Sequence, residues 1–307
     1  MTSTSNIDLS RLRDTLVSIA LQAGEMITSA TATTTSTKKN SADLVTETDQ
    51  AVEAYISGAL RKEYPGFAFM GEETYQPGMK LGPEPTFIVD PIDGTTNFVH
   101  GYPYVSVSMG FAVDRVPTVG VVFNPFTRKL YTGVCGQGSF VRVVPIGGGG
   151  GGGEEHQQRR LPLKAADPLT GLDGCVVAIE FGSDRSGSNW KTKTETWARL
   201  GRSKEEGGAM VHSARALGSA ALNLCSVAEG TLDVYWEGGC WAWDVCAGWV
   251  ILTEAGGVIV NGNPSTWGAA IPVDHRKYLA VRGAPTGQRE LVEEFWSHVE
   301  GTMEYEH

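Results

Sequence analysis

Val89-Asp90-Pro91-Ile92-Asp93-Gly94-Thr95-Thr96-Asn97 reads as the end of a strand that turns through glycine into a helix. The preceding Phe87-Ile88-Val89 is an unbroken apolar run, as expected of a strand covered on both faces. Asp90 and Asp93 then stand at the strand end and offer hard oxygen ligands. These suit Mg²⁺, which prefers octahedral oxygen coordination. Gly94 and Thr95 add backbone N–H groups and a hydroxyl where a helix N-terminus attracts phosphate oxygens. Alone, Pro91-Ile92-Asp93-Gly94 satisfies ordinary β-turn preferences and needs no chemistry. Its company changes that reading: Gly71-Glu72-Glu73 also follows an apolar strand, and Trp243-Asp244 opens a helix far downstream. Converging carboxylates repel one another unless cations neutralise them.

Upstream, Leu9, Leu12, Leu16, Ile19, Ala23 and Met26 recur at spacings of three and four, which predicts an amphipathic helix capped by Asp8. The Thr-rich stretch Thr28 to Asn40 reads as loop. A second helix is expected to open near Thr48 and Asp49, bury Val52, Tyr55, Ile56, Ala59 and Leu60, and end at Pro65-Gly66. Strands are predicted at 67–70, 87–89 and 105–113, the last with a hairpin partner at 118–123, giving an antiparallel-rich sheet. Gly147 to Gly153, followed by charged and polar residues to Arg160, lacks apolar surface to offset ordering entropy. The segment 147–160 is therefore expected to be a flexible loop. No Lys-Ser or Lys-Thr follows the glycines, so a phosphate-cradling P-loop is not indicated. Beyond a strand at 175–181 and a helix carrying Trp190, Trp197 and Leu200, helix and strand patterns alternate at 217–228, 232–236, 243–255 and 258–260. Gly256-Gly257 stops the third of these. The pattern predicts two lobes, 1–188 with the acidic motifs and 189–307 completing the site.

Composition limits the classes of function. With 41% hydrophobic and 20% charged residues, the 307-residue chain has the composition of a soluble globule. A net charge of −10 disfavours nucleic-acid binding, which needs clustered cations. No apolar run is long enough to span a membrane. The first thirty residues lack a basic segment followed by an apolar block, so a cytoplasmic location is expected. The five cysteines form no C-x-x-C pair and read as core thiols.

The ordered set Asp43-Leu44-Val45-Thr46-Glu47-Thr48-Asp49, Gly71-Glu72-Glu73, 90–98, Leu217-Gly218-Ser219-Ala220-Ala221, Glu237 and Trp243-Asp244-Val245-Cys246-Ala247-Gly248 closely resembles the inositol monophosphatase family. That resemblance implies a layered αβαβα sandwich and a Mg²⁺-dependent, lithium-sensitive phosphatase that acts as a homodimer on inositol monophosphate or a similar small polyol ester. Two or three Mg²⁺ ions are implied per site. Glu72, Asp90 and the Ile92 carbonyl would hold one metal, Asp90, Asp93 and Asp244 a second, and Asp49 would belong to a weaker third. Thr95 would orient the attacking water and Glu72 would accept its proton. Asp93, Gly94, Thr95, Gly218, Ser219, Ala220, Glu237 and Asp244 would contact substrate. Singly, Asp49 could be a first-turn carboxylate, Glu237 a solvated charge and Asp244 a helix cap; their order along one chain favours the functional reading.

The large rings of Trp236 and Trp241 beside Glu237 are expected to reshape the leaving-group pocket. Within the resembled family, the metal motifs are shared with enzymes acting on sugar bisphosphates, histidinol phosphate and phosphoadenosine, and with quinate-pathway proteins of non-catalytic role. A haloacid-dehalogenase-like phosphatase would need its two Asp residues two apart, whereas Asp90 and Asp93 are three apart.

Overall fold

The computed structural model describes residues 7–30, 34–37, 44–145, 158–164 and 167–306. Residues 147–157 of the expected flexible loop lie outside that set, as does Asp43. In chain order the elements are α1 (Leu9–Ser29), β1 (Thr34–Thr37), β2 (Leu44–Thr46), α2 (Glu47–Glu63), β3 (Ala68–Gly71), β4 (Thr86–Asp93) and α3 (Thr95–His100). The strands β5 (Ser106–Val113), β6 (Val116–Asn124), β7 (Lys129–Val134), β8 (Gly138–Val143), β9 (Arg159–Arg160) and β10 (Val176–Ile179) follow. The remainder comprises α4 (Gly187–Gly201), β11 (Ser213–Arg215), α5 (Ala220–Glu229), β12 (Val234–Gly238), α6 (Ala242–Glu254), β13 (Val258–Asn261), β14 (Lys277–Val281) and α7 (Gln288–His298).

Two larger sheets organise the chain, one in the order β3-β4-β5-β6-β7-β8-β9 and one in the order β11-β10-β12-β14-β13. Three apolar clusters fill the spaces between layers. Leu12, Leu16 and Ile27 of α1 and Val52 and Ile56 of α2 pack on Phe87, Val89, Phe111 and Val121 of the first sheet. The opposite face of that sheet meets α5 and α6, which also touch Tyr235, Tyr278 and Ala280 of the second sheet. On its far side the second sheet packs through Val177, Trp236 and Leu279 against Leu200 of α4 and Leu291, Val292 and Phe295 of α7. The result is the expected αβαβα sandwich, with α5 and α6 as its central layer. No helix among the described residues is long and apolar enough to cross a membrane.

Local chemistry explains the elements nearest the site. Asp8 caps α1 by accepting from the Arg11 N–H at 3.0 Å, as the sequence implied. Thr46 caps α2, and Asp49 sits at its third position in a reciprocal capping box. The loop expected from Thr28 to Asn40 needs correction: α1 runs to Ser29, and the Thr-rich run Thr34–Thr37 pairs antiparallel with Leu44–Thr46. The change of sheet also lies upstream of residue 188, because β10 hydrogen-bonds to β11 and β12.

A glycine stripe seats the central helix. Gly110 of β5 pairs with Gly120 of β6, which pairs with Gly133 of β7. A Cβ on Gly120 would lie 2.2 Å from the Ala247 carbonyl oxygen, and one on Gly110 would lie 2.5 Å from the Cys246 sulfur. The missing side chains let α6 lie directly on the sheet, which carries Asp244 in the first helical turn towards the end of β4.

Candidate active site

Alternation along β4 sends Phe87 and Val89 towards α1 and α2 and Ile88 towards α5 and α6. Asp90 follows Ile88, but three residues further on Asp93 would point the opposite way in a regular strand. The register resolves the conflict: Asp90 opposes Ser108 and Asp93 opposes Ser106, so three steps on β4 span two on β5. Such a bulge tolerates Pro91 and re-aims the next carboxylate to the side of Asp90. The irregularity at Pro91-Ile92 therefore makes two consecutive acidic motif positions into one cluster.

Asp244 completes that cluster. One carboxylate oxygen from each of Asp90, Asp93 and Asp244 lies within 4.8 Å of the others. Asp90 Oδ1 accepts from the Ile92 N–H at 3.0 Å, and Asp244 Oδ2 from the Trp241 N–H at 2.5 Å. Asp93 accepts from the N–H groups of Ala220 at 3.2 Å and Ala221 at 2.9 Å, from the Ser106 hydroxyl at 3.3 Å and from the Ser219 hydroxyl. Glu72 leaves the end of β3, where its N–H donates to the Val89 carbonyl at 3.2 Å. Its carboxyl adjoins Asp90 closely enough to share a hydrogen bond.

Electrostatics describe an unneutralised anionic pocket. Burial, and then the charges of Glu72, Asp93 and Asp244, push Asp90 well above the usual carboxylate range. Asp244 is raised in the same way by burial, Glu72 and Asp93. For Asp93 burial prevails over its donors and moves it up to about 6. The donors are all hard oxygens, the three groups are within reach of one ion, and their mutual repulsion is what a divalent cation would remove. The residues present fit Mg²⁺.

Asp49 approaches from the α2 side. It accepts from the Thr46 N–H at 3.0 Å and from the Thr95 hydroxyl at 3.0 Å, and the same hydroxyl lies 3.1 Å from the Ile92 carbonyl oxygen. Glu72, Asp93, Gly94, Thr95, Gly218, Ser219, Ala220, Glu237 and Asp244 line one cleft of about 1200 Å³. Asp90 and Asp49 are buried beside it, 2% and 1% exposed. The cleft thus gathers residues from the turn after β3 and from β4, α3, α5, β12 and α6.

Several residues to which the sequence reading gave no role support the site. Glu53, one turn beyond Asp49 on α2, accepts from the Glu73 N–H at 2.7 Å and so pins the turn that presents Glu72. Asn97 donates to the carbonyls of Leu217 at 2.7 Å and Tyr104 at 2.8 Å, while Glu180 accepts from the N–H groups of Leu217 and Gly218 at 2.7 and 2.9 Å. Together they hold the Leu217-Gly218-Ser219 turn. Lys193 is buried below Glu237 and donates to the carbonyls of Gly238 at 2.6 Å and Phe181 at 3.2 Å. Burial raises Glu237 to about 7 against the pull of Lys193. A polar residue interrupting an apolar helical stripe was the available sign for Glu53 and Lys193.

The expected indole wall is only half correct. Glu237 and Tyr235 face the central layer, so alternation turns Trp236 the other way. Trp236 is fully buried, donates to the Gly262 carbonyl at 2.6 Å and packs on Phe295. Trp241 and Trp243 form the wall instead, stacked with centroids 5.2 Å apart and joined by Tyr75 at 5.0 and 5.1 Å.

Comparison with known proteins agrees with this fold. The chain is similar to Inositol monophosphatase 2 of Saccharomyces cerevisiae, with 47% identity over 274 residues covering 87% of this chain and 86% of the relative. It is 39% identical over 292 residues to the Quinic acid degradation cluster protein x of Neurospora crassa, covering 86% and 82% of the two chains. The solved inositol monophosphatase of Anabaena (Nostoc) sp. superposes with a TM-score of 0.70 at 26% identity, covering 95% of each chain. Residues 8–302 match the model of the Inositol monophosphatase family, and the chain belongs to that family.

Proposed function

We propose that this protein hydrolyses the phosphate monoester of a small polyol, inositol monophosphate first, by direct attack of water and with Mg²⁺ as cofactor. The observation that carries the proposal is the cluster of Asp90, Asp93 and Asp244, three carboxylates within 4.8 Å brought together by the β4 bulge and the α6 glycine seat. Glu72, Asp90 and the Ile92 carbonyl would hold one ion, Asp90, Asp93 and Asp244 a second, and Asp49 would support a third. Bound there, Mg²⁺ supplies Lewis-acid polarisation of the phosphoryl group, a lowered pKa for the attacking water and charge neutralisation for the departing oxygen.

The chain's own groups do the rest. Thr95 commits its hydroxyl proton to Asp49, which leaves its oxygen lone pairs to accept from water and fix that water's orientation. Glu72, which lines the same cleft as Thr95, takes the proton. Gly94, Gly218, Ser219 and Ala220 shape the wall around the ester, and the Glu237 carboxylate accepts from the hydroxyls of the leaving group. The Trp241–Trp243–Tyr75 wall limits solvent access on the remaining side. No side chain is required to become phosphorylated. Homodimerisation, inhibition by lithium and a cytoplasmic location belong to the same proposal, supported by the family resemblance.

Phosphate release from inositol, sugar, histidinol and nucleotide monoesters, with and without Mg²⁺, tests the reading. Mg²⁺-dependent turnover is expected, with inositol monophosphate the best substrate. Turnover independent of divalent ions, or a trapped phospho-aspartyl enzyme, would overturn it.

A further inference from the structure

The segment Met303–Glu306 follows α7, and Glu304, Tyr305 and Glu306 line the cleft. Three of its four residues are fastened through their backbone groups. Asn263 donates to the Met303 carbonyl and accepts from its N–H, both at 2.9 Å. Asn189 of α4 repeats this with Glu304, donating at 2.8 Å and accepting at 2.7 Å. Arg276 donates to the Glu306 carbonyl at 2.8 Å. A carboxamide presents a donor and an acceptor side by side, so each Asn pairs with a backbone as a neighbouring strand would.

These anchors hold one ring in place. Tyr305 lies between two cations, with Lys193 Nζ 5.6 Å and the Arg276 guanidinium carbon 5.5 Å from its centroid. Its hydroxyl hydrogen-bonds to Asp184. The ring fits because the two residues after Glu237 are glycines: a Cβ on Gly238 would lie 2.7 Å from the ring, and one on Gly239 3.1 Å. Arg276 also stacks on Trp241 at 3.5 Å, so Tyr305, Arg276 and Trp241 are continuous along the cleft lining.

We propose that Tyr305 is a specificity-determining residue: the strapped segment carries its ring across the end of Glu237-Gly238-Gly239 to form the distal wall that limits the leaving group's size. This rests on the phosphatase reading above, in which Glu237 faces the leaving group. The described contacts of this segment are with Asn189, Asn263, Arg276, Lys193, Asp184, Gly238 and Gly239, none of which belongs to β4, α3 or α6. Substitution of Tyr305 should therefore alter discrimination among leaving groups and spare recognition of phosphate itself.

The test compares Tyr305→Ala, Tyr305→Phe and Asn189→Ala with the unaltered Mg²⁺-loaded protein on inositol monophosphate and on 2′-AMP, whose leaving group is larger. Inhibition by inorganic phosphate is measured in parallel. For Tyr305→Ala, kcat/KM for 2′-AMP relative to inositol monophosphate should rise about tenfold, mainly through KM. The phosphate inhibition constant should stay within about twofold. Tyr305→Phe, which keeps the ring, should restore most of the original ratio, and Asn189→Ala should shift it in the same direction as Tyr305→Ala. An unchanged ratio in an active Tyr305→Ala variant overturns the proposal, as does a loss of phosphate inhibition in proportion to activity, the mark of general disruption. Should Tyr305→Ala not fold, Asn189→Ala decides by the same ratio. If the unaltered protein releases no phosphate from any ester, the phosphatase reading fails first and this proposal falls with it.

Discussion

Asp90 is 2% exposed, points into a space shared with Glu72, Asp93 and Asp244, and is held well above its ordinary pKa by burial and by their charge. Such a group costs folding free energy when ionised and contributes to function only when a cation sits beside it. The amide of Asp90→Asn has nearly the same shape and no charge. Turnover should fall at least ~100-fold, because the proposed function makes Asp90 a ligand shared by two ions. The metal-free variant should nevertheless melt at or above the temperature of the metal-free parent at pH 8, because a buried charge has been removed. Steady-state assay and thermal melts check the two halves separately. A variant that is inactive because it is unfolded, or stable and fully active, contradicts the assignment. The residue was legible from the sequence, because Asp-x-x-Asp at the end of an apolar strand is a local pattern. Its pairing with Asp93 on one side was not, since strict alternation separates positions three apart and only the register against Ser106 and Ser108 reveals the bulge.

Elements were legible where the pattern is local and periodic. The spacing along α1, its cap at Asp8 and the apolar run of β4 all read directly into structure. The expectations omit β8 and also β7, which is buried on both faces over most of its length and so lacks alternation. They also omit α7, although Leu291, Val292, Phe295 and Trp296 carry the helical spacing. Least legible is the seat of α6. Gly110, Gly120 and Gly133 look like scattered glycines until the strands pair and align them into one stripe. This stripe sets how near α6, and Asp244 with it, comes to β4. Gly120→Ala would drive a methyl into the Ala247 carbonyl, 2.2 Å away, and backbone cannot yield as a flexible side chain does. A loss of about 1–3 kcal/mol is expected in urea titration. Turnover should fall as well, although residue 120 touches neither ligand nor cleft. Unaltered stability together with unaltered kcat would show that the helix is not seated by this contact.

At the scale of the whole molecule, a chain with net charge −10 is proposed to bind an anionic ester, and its cleft carries further carboxylates. The cation that resolves this contradiction should leave a signature in the dependence of stability on pH. In the metal-free protein Asp93 is raised to about 6 and Glu237 to about 7, and Asp90 and Asp244 are raised also, each chiefly by burial. A carboxyl whose folded pKa exceeds its unfolded value stabilises the fold fully below the unfolded value, near 4 for such groups. That contribution is lost as pH rises through the folded values. These groups should therefore make the metal-free protein progressively less stable as pH rises from about 4 to about 7. Mg²⁺ competes with protons for the same oxygens, so its stabilisation, RT ln(1 + [Mg²⁺]/Kd), should grow as pH rises across that window. Thermal melts at pH 5.5, 6.5 and 7.5, with and without saturating Mg²⁺, measure the difference directly. The melting-temperature gain from Mg²⁺ should increase at each step and nearly vanish in Asp90→Asn. A gain that is flat with pH, or equal in the variant, would mean that the ion stabilises the protein somewhere other than the cluster at the end of β4.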